Sequence, residues 1–449
     1  MGIDKGWRRH MAGAVGAFVL LAGTAGAQTT LIHAGTLLAV PGQKPLARQT
    51  LVVTDGKVAA VRAGYLDAAA AGVAGDARII DLKDGFVLPG LIDCHVHLMG
   101  ELGPGSILAE VRDDPEVAVL EGAMYAHRTL MAGFTTVREL GSPARTAFAL
   151  RDAIAKGEVE GPTILAAGQM ISITAGHGDA NGFNEAVTHA LRPESVCDGA
   201  DDCRRAVREQ IRKGADVIKL ATTGGVLSNI AAGTGQQMFD DEAKAVIDTA
   251  HMMGKRVASH AHAAAGINLA LRHGVDSVEH GSYLDADSIA LLKQKGAYLV
   301  PTLLAGHTVV EMARSSTTLT PAQASKALEV GEQMRNSFAG AVKAGVKVAF
   351  GTDSGVSRHG DNALEFKLMV DAGMPAADAI KAATVNAADL LDRTARIGTL
   401  EPGKDADIIA VAGNPLTDVT ELMRVRFVMR QGVLHKQDGA PVTFVPGGR

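Results

Sequence analysis

The sequence predicts an α/β protein, a parallel (β/α)8 barrel with a small β-sandwich assembled from both chain ends. Three observations predict it. Short apolar runs that end in polar residues alternate with stretches of helical period through the middle of the chain. Strand-like segments punctuated by turns are confined to the two ends. The 449 residues, 47% of them hydrophobic and 4% aromatic, suffice for one large core with a satellite. A net charge of −5 gives no basic footprint for nucleic acid, so none is expected as a partner.

The elements follow in order. Lys5, Arg8 and Arg9 precede an apolar run at 11–22 and then Ala25-Gly26-Ala27, the pattern of an export signal over 1–27 with cleavage before Gln28. A membrane anchor is the alternative, but about 12 apolar residues fall short of the ~20 that span a bilayer. A periplasmic or secreted protein, free of the membrane once the signal is removed, is the expectation. Segments 29–40, 49–61, 79–81 and 86–88, with an Asp55-Gly56 turn, read as antiparallel strands, and 407–411, 425–429 and 432–434 return to the same style. Neither piece alone buries a sheet face. Pieces 28–88 and 396–449 are therefore expected to combine into the sandwich.

Between them, over 89–395, lie eight candidate strands, at 91–97, 135–137, 163–166, 217–220, 257–260, 277–280, 298–301 and 346–351. Helical period marks intervening segments such as 240–253 and 285–295. A doubly wound sheet is the alternative, but no Gly-x-Gly-x-x-Gly opens a helix. Of three cysteines, Cys197 and Cys203 bracket a short polar stretch that an oxidising compartment would close as a disulfide. Cys94, inside an apolar strand, reads as a small buried residue.

The chemistry lies at strand ends. His95 and His97 are two apart, and a period of two puts both imidazoles on one side of their strand, where they can grip one metal. A lone His-x-His is a weak signal and needs partners. Lys219, His260, His280 and Asp353 each end or follow another candidate strand, and in a barrel all those ends face one mouth. Imidazole suits zinc and a carboxylate completes such a site. A lysine is harder to explain, because an ammonium repels metal; burial lowers its pKa, and a neutral amine can take up carbon dioxide to become a bridging carbamate. A lysine paired structurally with a carboxylate is the alternative. Asp353 could bind a cation while taking a proton from a bridging water.

At this point the chain resembles the amidohydrolase superfamily. The resemblance is carried by Leu88-Pro89-Gly90-Leu91-Ile92-Asp93-Cys94-His95-Val96-His97, Gly133-Phe134-Thr135-Thr136-Val137-Arg138-Glu139, Gly214-Ala215-Asp216-Val217-Ile218-Lys219, His260-Ala261-His262, Val278-Glu279-His280-Gly281, Gly351-Thr352-Asp353-Ser354 and a tail from Gly398 to Asp407. It is similar to the imidazolonepropionase-related branch that holds Xaa-Pro dipeptidases, other metal-dependent carboxypeptidases and ochratoxin-hydrolysing amidases, over roughly Thr30 to the C-terminus. The resemblance implies a TIM barrel with two Zn2+ bridged by carboxylated Lys219, one held by His95, His97 and Asp353, the other by His260 and His280. It also implies a homo-oligomer that hydrolyses the amide bond to a C-terminal amino acid in dipeptides or N-acyl amino acids, with Asp353 as the catalytic proton carrier. A cyclic amidase or imidazolonepropionase-like hydrolase is the alternative, and a binding or metal-storage protein a third.

Glu139 departs from the branch, which usually has Asp there. His177, on the Gly-rich stretch Ala175-Gly176-His177-Gly178, and His262, sharing a strand face with His260, are candidate substrate contacts. Arg138 either holds a substrate carboxylate or pairs with its neighbour Glu139. The stretches 222–228 and 359–362 are expected to shape the mouth, with Gly224 and Gly225 merely permitting a turn.

Overall fold

The computed structural model describes residues 29–447 apart from 74, 144, 231–232 and 316–317, so the expected export signal at 1–27 lies outside the described residues. The N-terminal piece holds β1 (Thr29–Leu37), β2 (Leu46–Thr54), β3 (Lys57–Ala63) and β4 (Ala77–Pro89). The middle holds β5 (Leu91–Val96), β6 (Phe134–Glu139), β7 (Thr163–Ala166), β8 (Ile218–Ala221), β9 (Val257–Ala261), β10 (Ser277–His280) and β11 (Tyr298–Val300). The C-terminal piece holds β12 (Ile408–Val411), β13 (Phe427–Arg430), β14 (Val433–Gln437) and β15 (Ala440–Pro441).

The two ends do combine, but through one hydrogen-bonded sheet of eight strands, in the order β15-β14-β13-β12-β4-β1-β2-β3, where a two-sheet sandwich was expected. The reason is β4. Its 13 residues run parallel to β1 from Thr29 opposite Ala77, and its last four, 86–89, also pair antiparallel with β12. One strand thus stitches the N-terminal piece to the C-terminal one. The buried face gathers side chains from both, including Ile32, Leu51, Ile408 and Phe427; each such residue contributes about 1.5–3 kcal/mol of burial.

The middle is parallel throughout, with β5-β6-β7 in one sheet and β8-β9-β10-β11 in another. An isolated parallel bridge from Ile171 to Leu220 links the two on one side. On the other side the eighth candidate strand, 346–351, is not a regular strand. It makes single bridges instead: Val348 opposite Leu299, then Ser354 opposite Val96, with Cys94 N–H donating to the Phe350 carbonyl at 2.8 Å. The chain turns out of extended geometry at Asp353, whose φ is 58°, so no longer ladder forms.

Helices Asp240–Met252 and Ala286–Lys295 fall where the period placed them, the second capped by Asp285, whose carboxylate accepts from Ser288 N–H at 2.7 Å. Two more, Leu303–Ser315 and Pro321–Lys343, pack on each other beside the C-terminal ends of β9–β11. Thr320 and Gln323 form a capping box that starts the second. Cys197 and Cys203 are bonded, as expected, and Cys94 is free and buried. Among the described residues, no helix is long and apolar enough to cross a membrane.

Candidate metal centre

Parallel strands present their C-terminal ends on one side, and there the structure brings together all six residues expected to hold metal. Two groups of ligand atoms result, each within 4.8 Å of one another: His95, His97 and Asp353, and His260, His262 and His280. The rings of His95 and His280 lie 5.1 Å apart, so the groups adjoin. His262, expected as a substrate contact, falls in the second group.

Two of these positions, His280 and Asp353, with φ of 72° and 58°, and Thr302, which hydrogen-bonds His280, with φ of 49°, are held in backbone geometry that non-glycine residues avoid. Such strain persists where the surroundings enforce it. At His280 it breaks the strand alternation. Glu279 then points under His95, its carboxylate accepting from His95 Nδ1 at 2.8 Å, while His280 reaches the second group. Since a carboxylate only accepts, Nδ1 carries the proton and Nε2 keeps its lone pair, directed toward Asp353 Oδ1 at 3.4 Å. The same logic holds for His97, whose Nδ1 donates to the Gly141 carbonyl at 2.9 Å and whose Nε2 faces Asp353 at 3.2 Å. His280 Nδ1 is held by Thr302 Oγ1 at 2.7 Å, and His262 Nδ1 by Ser282 Oγ at 2.7 Å. His260 is turned the other way, Nε2 on the Gly224 carbonyl at 3.2 Å, so Nδ1 is its free nitrogen.

Below this layer Asp93 ties the first group together, accepting from His95 N–H, Thr352 N–H and hydroxyl, and Asn362 at 2.6–3.1 Å. Asn362 therefore braces this group from behind, and His359, buried on the Gly100 carbonyl, does not line the cavity either, so the expectation that 359–362 shapes the mouth is not met by these two residues. Arg138 does not pair with Glu139 and does not line the cavity: fully buried, it donates to the Cys94 carbonyl at 2.6 Å, Ser277 Oγ at 3.1 Å and Glu279 Oε1 at 2.9 Å. Neighbours on a strand point to opposite faces, so Arg138 crosses to β10 while Glu139 lies under His97, 3.8 Å from its Nδ1. Sequence reading missed Glu279, although its place beside His280 in a buried strand was the available signal.

Electrostatics agree with ligation. Burial lowers Lys219 to about 8, against the pull of Glu279 and Asp353, so a neutral amine is accessible. Its Nζ lies 3.5 Å from His95 Nε2. Burial drives His260 and His280 well below the ordinary imidazole range and lowers His95 to about 4, with Lys219 adding to the effect. Neutral imidazoles are ready donors. Burial works to raise Asp353, but His95 and His97 hold it far below the usual carboxylate range. Burial lifts Glu139 to about 7, whereas Arg138 and His95 overcome burial and bring Glu279 down to about 2.

His177 stacks on His260, centroids 3.9 Å apart, with Nδ1 on Ser228 Oγ at 2.5 Å. Gly225 does more than permit a turn here: a Cβ would lie 2.4 Å from the His177 ring, so glycine lets the 222–228 stretch close over that imidazole. Both groups, Lys219 and His177 line a cavity of about 180 Å³ whose remaining walls are apolar.

The family model described as the amidohydrolase family matches residues 86–434. An ochratoxinase of Aspergillus niger is 32% identical over 94% of this chain and 89% of its own length. An imidazolonepropionase of Rhizorhabdus wittichii is 30% identical over 80% of this chain and 88% of its own. A solved Xaa-Pro dipeptidase with methionine bound in its active site superposes with a TM-score of 0.86, at 38% identity over 91% of this chain and all of the other.

Proposed function

Because the chain belongs to the amidohydrolase family, we propose that it is a metal-dependent hydrolase of the amide bond to a C-terminal amino acid, in dipeptides or N-acyl amino acids. The observation that carries this reading is the convergence of two adjoining ligand groups with a buried lysine of lowered pKa. The similarity to an ochratoxinase and to a Xaa-Pro dipeptidase supports the substrate class. On this reading the two parallel sheets and the bridging stretches form a (β/α)8 barrel over 89–395, flanked by the end pieces 28–88 and 396–449.

The donor set fits a pair of zinc ions. His95, His97 and Asp353 would hold one, and His260 and His280, with His262 in reach, the other, bridged by a carbamate on Lys219. Bound cations there would supply Lewis acidity and lower the pKa of water. The chain's own work is orientation and proton transfer. Glu279 and the Gly141 carbonyl hold the His95 and His97 rings in their ligating tautomers. Asp353 takes the proton of the attacking water and passes it to the leaving nitrogen as the C–N bond breaks and the C–O bond forms. The apolar walls keep other water out.

An imidazolonepropionase-like cyclic amidase is the second reading, favoured by the relative of that name. The buried Cys197–Cys203 disulfide supports export to an oxidising compartment, periplasmic or extracellular, where histidine degradation has no place. The test is metal dependence with residue resolution. Chelation should abolish hydrolysis and zinc restore it, and Lys219→Ala should lose the second metal and most activity, with partial rescue by short carboxylic acids. Full activity of Lys219→Ala, or a density map with a bare Lys219 beside two zincs, defeats the carbamate.

A further inference from the structure

Resting on the amide-hydrolase reading above, we infer that the substrate is an N-acyl amino acid whose acyl group carries no charge, in preference to a dipeptide with a free α-ammonium. The cavity decides this by what its walls lack. Apart from the histidines, Lys219 and Asp353, its described lining is apolar: Met170, Val226 and Leu227 on one side, Val309, Val330 and Met334 among those on the other. A buried ammonium needs a carboxylate, because desolvation is otherwise uncompensated. Asp353 is the one carboxylate among the described lining residues, and it faces His95 and His97. Glu279 is occupied by Arg138 and His95 behind that layer. An α-ammonium beside the scissile carbonyl would therefore stand without a partner.

The wall against which the acyl group would lie is built to be close and adaptable. Gly306 sits under Met334, where a Cβ would come within 2.9 Å of the sulfur, and Gly331 lets the two helices approach, its Cβ falling 2.3 Å from Val310. A thioether over a glycine moulds to an apolar chain. A carboxylate, by contrast, has a host on the other side. His177 belongs to neither ligand group and has its Nδ1 held by Ser228, which leaves its Nε2 available, and the 222–228 stretch closes over it. Behind it the Lys326 ammonium, bound to the Gly225 and Ser228 carbonyls at 3.1 and 2.6 Å, adds positive charge. The site favours an anion at one end and rejects a cation at the other.

Two isosteric pairs test this on zinc-loaded wild-type protein. Propionyl-L-phenylalanine and L-alanyl-L-phenylalanine differ only in the α-ammonium, and hexanoyl- and 6-aminohexanoyl-L-phenylalanine only in a terminal one. The uncharged member of each pair should have kcat/KM about 10²-fold higher or more, as for other unpaired buried polar groups; a ratio below tenfold overturns the inference. Met334→Glu, on the helix wall assigned to the acyl group, should narrow the hexanoyl ratio at least about tenfold, and an unchanged ratio counts against the wall assignment. Calorimetric binding of the same pairs to Asp353→Asn separates the two levels. Tighter binding of the uncharged members without turnover by wild type leaves the inference standing and the proposed reaction failed. Equal turnover of both members keeps the reaction and defeats the inference, and binding of neither defeats both.

Discussion

Glu279→Gln removes one charge and no volume, and the structure says where the loss is felt. Glu279 is fully buried and its carboxylate accepts on two sides, from Arg138 Nη2 at 2.9 Å and Ser277 Oγ at 2.5 Å on one oxygen and from His95 Nδ1 at 2.8 Å on the other. A carboxamide cannot serve both. If its oxygen stays with Arg138, its NH2 meets His95 Nδ1–H, and His95 must move its proton to Nε2. That is the nitrogen directed at Asp353 and Lys219, so the lone pair needed for a cation disappears. Loss of such an outer hydrogen bond costs 10–100-fold in metal affinity, about 1.4–2.7 kcal/mol. If the amide flips, its NH2 faces the guanidinium instead, and a buried Arg138 without its counter-ion costs about 3–5 kcal/mol of stability. One or other loss is expected. Zinc content at buffered free zinc, with denaturant unfolding of the metal-free protein, distinguishes them. Zinc affinity within twofold of wild type together with unchanged stability would refute the orienting role of Glu279.

Three further outcomes follow from other contacts. Asp353→Asn keeps the size and one oxygen but cannot accept a proton, so kcat should fall at least about 10²–10⁴-fold even at equal metal content, and a change of only a few-fold would move the proton carrier elsewhere, first to His262. Cys203→Ser opens a short buried loop and should lower unfolding stability by about 2 kcal/mol in denaturant titrations, whereas no change under oxidising conditions would remove the bond from the stability account. His251, 38% exposed, is raised above 6.5 chiefly by its hydrogen bond to Asp276 at 2.8 Å, with burial opposing. A raised folded-state pKa stabilises fully below the unfolded value and is lost as pH rises through the folded one. His251→Gln should therefore be less stable than wild type by at most about 1 kcal/mol at pH about 5.5, with the gap closing by pH about 9; a gap constant across that range would show that charge is not involved.

The alternation of apolar strands and helices, the ends that needed each other, and the convergence of His95, His97, Lys219, His260, His280 and Asp353 at one set of strand ends were all legible in the sequence. Each is local: a period, a turn residue, or a polar residue closing an apolar run. The disulfide was legible for the same reason, six residues apart in a polar stretch. What tertiary structure alone decided is which side chains share a proton or a charge. Arg138 belongs with Glu279, 141 positions away, and not with adjacent Glu139, because alternation sends strand neighbours to opposite faces while parallel strands bring distant ones together. His262 joins His260 and His280 because His280 takes a left-handed backbone that no sequence period announces. The sandwich became one sheet because β4 is long enough to pair with both ends, a matter of register. Sequence determines which chemistry is available at each strand end; only the packed fold sets the partners, and partners determine which nitrogen of an imidazole is free to act.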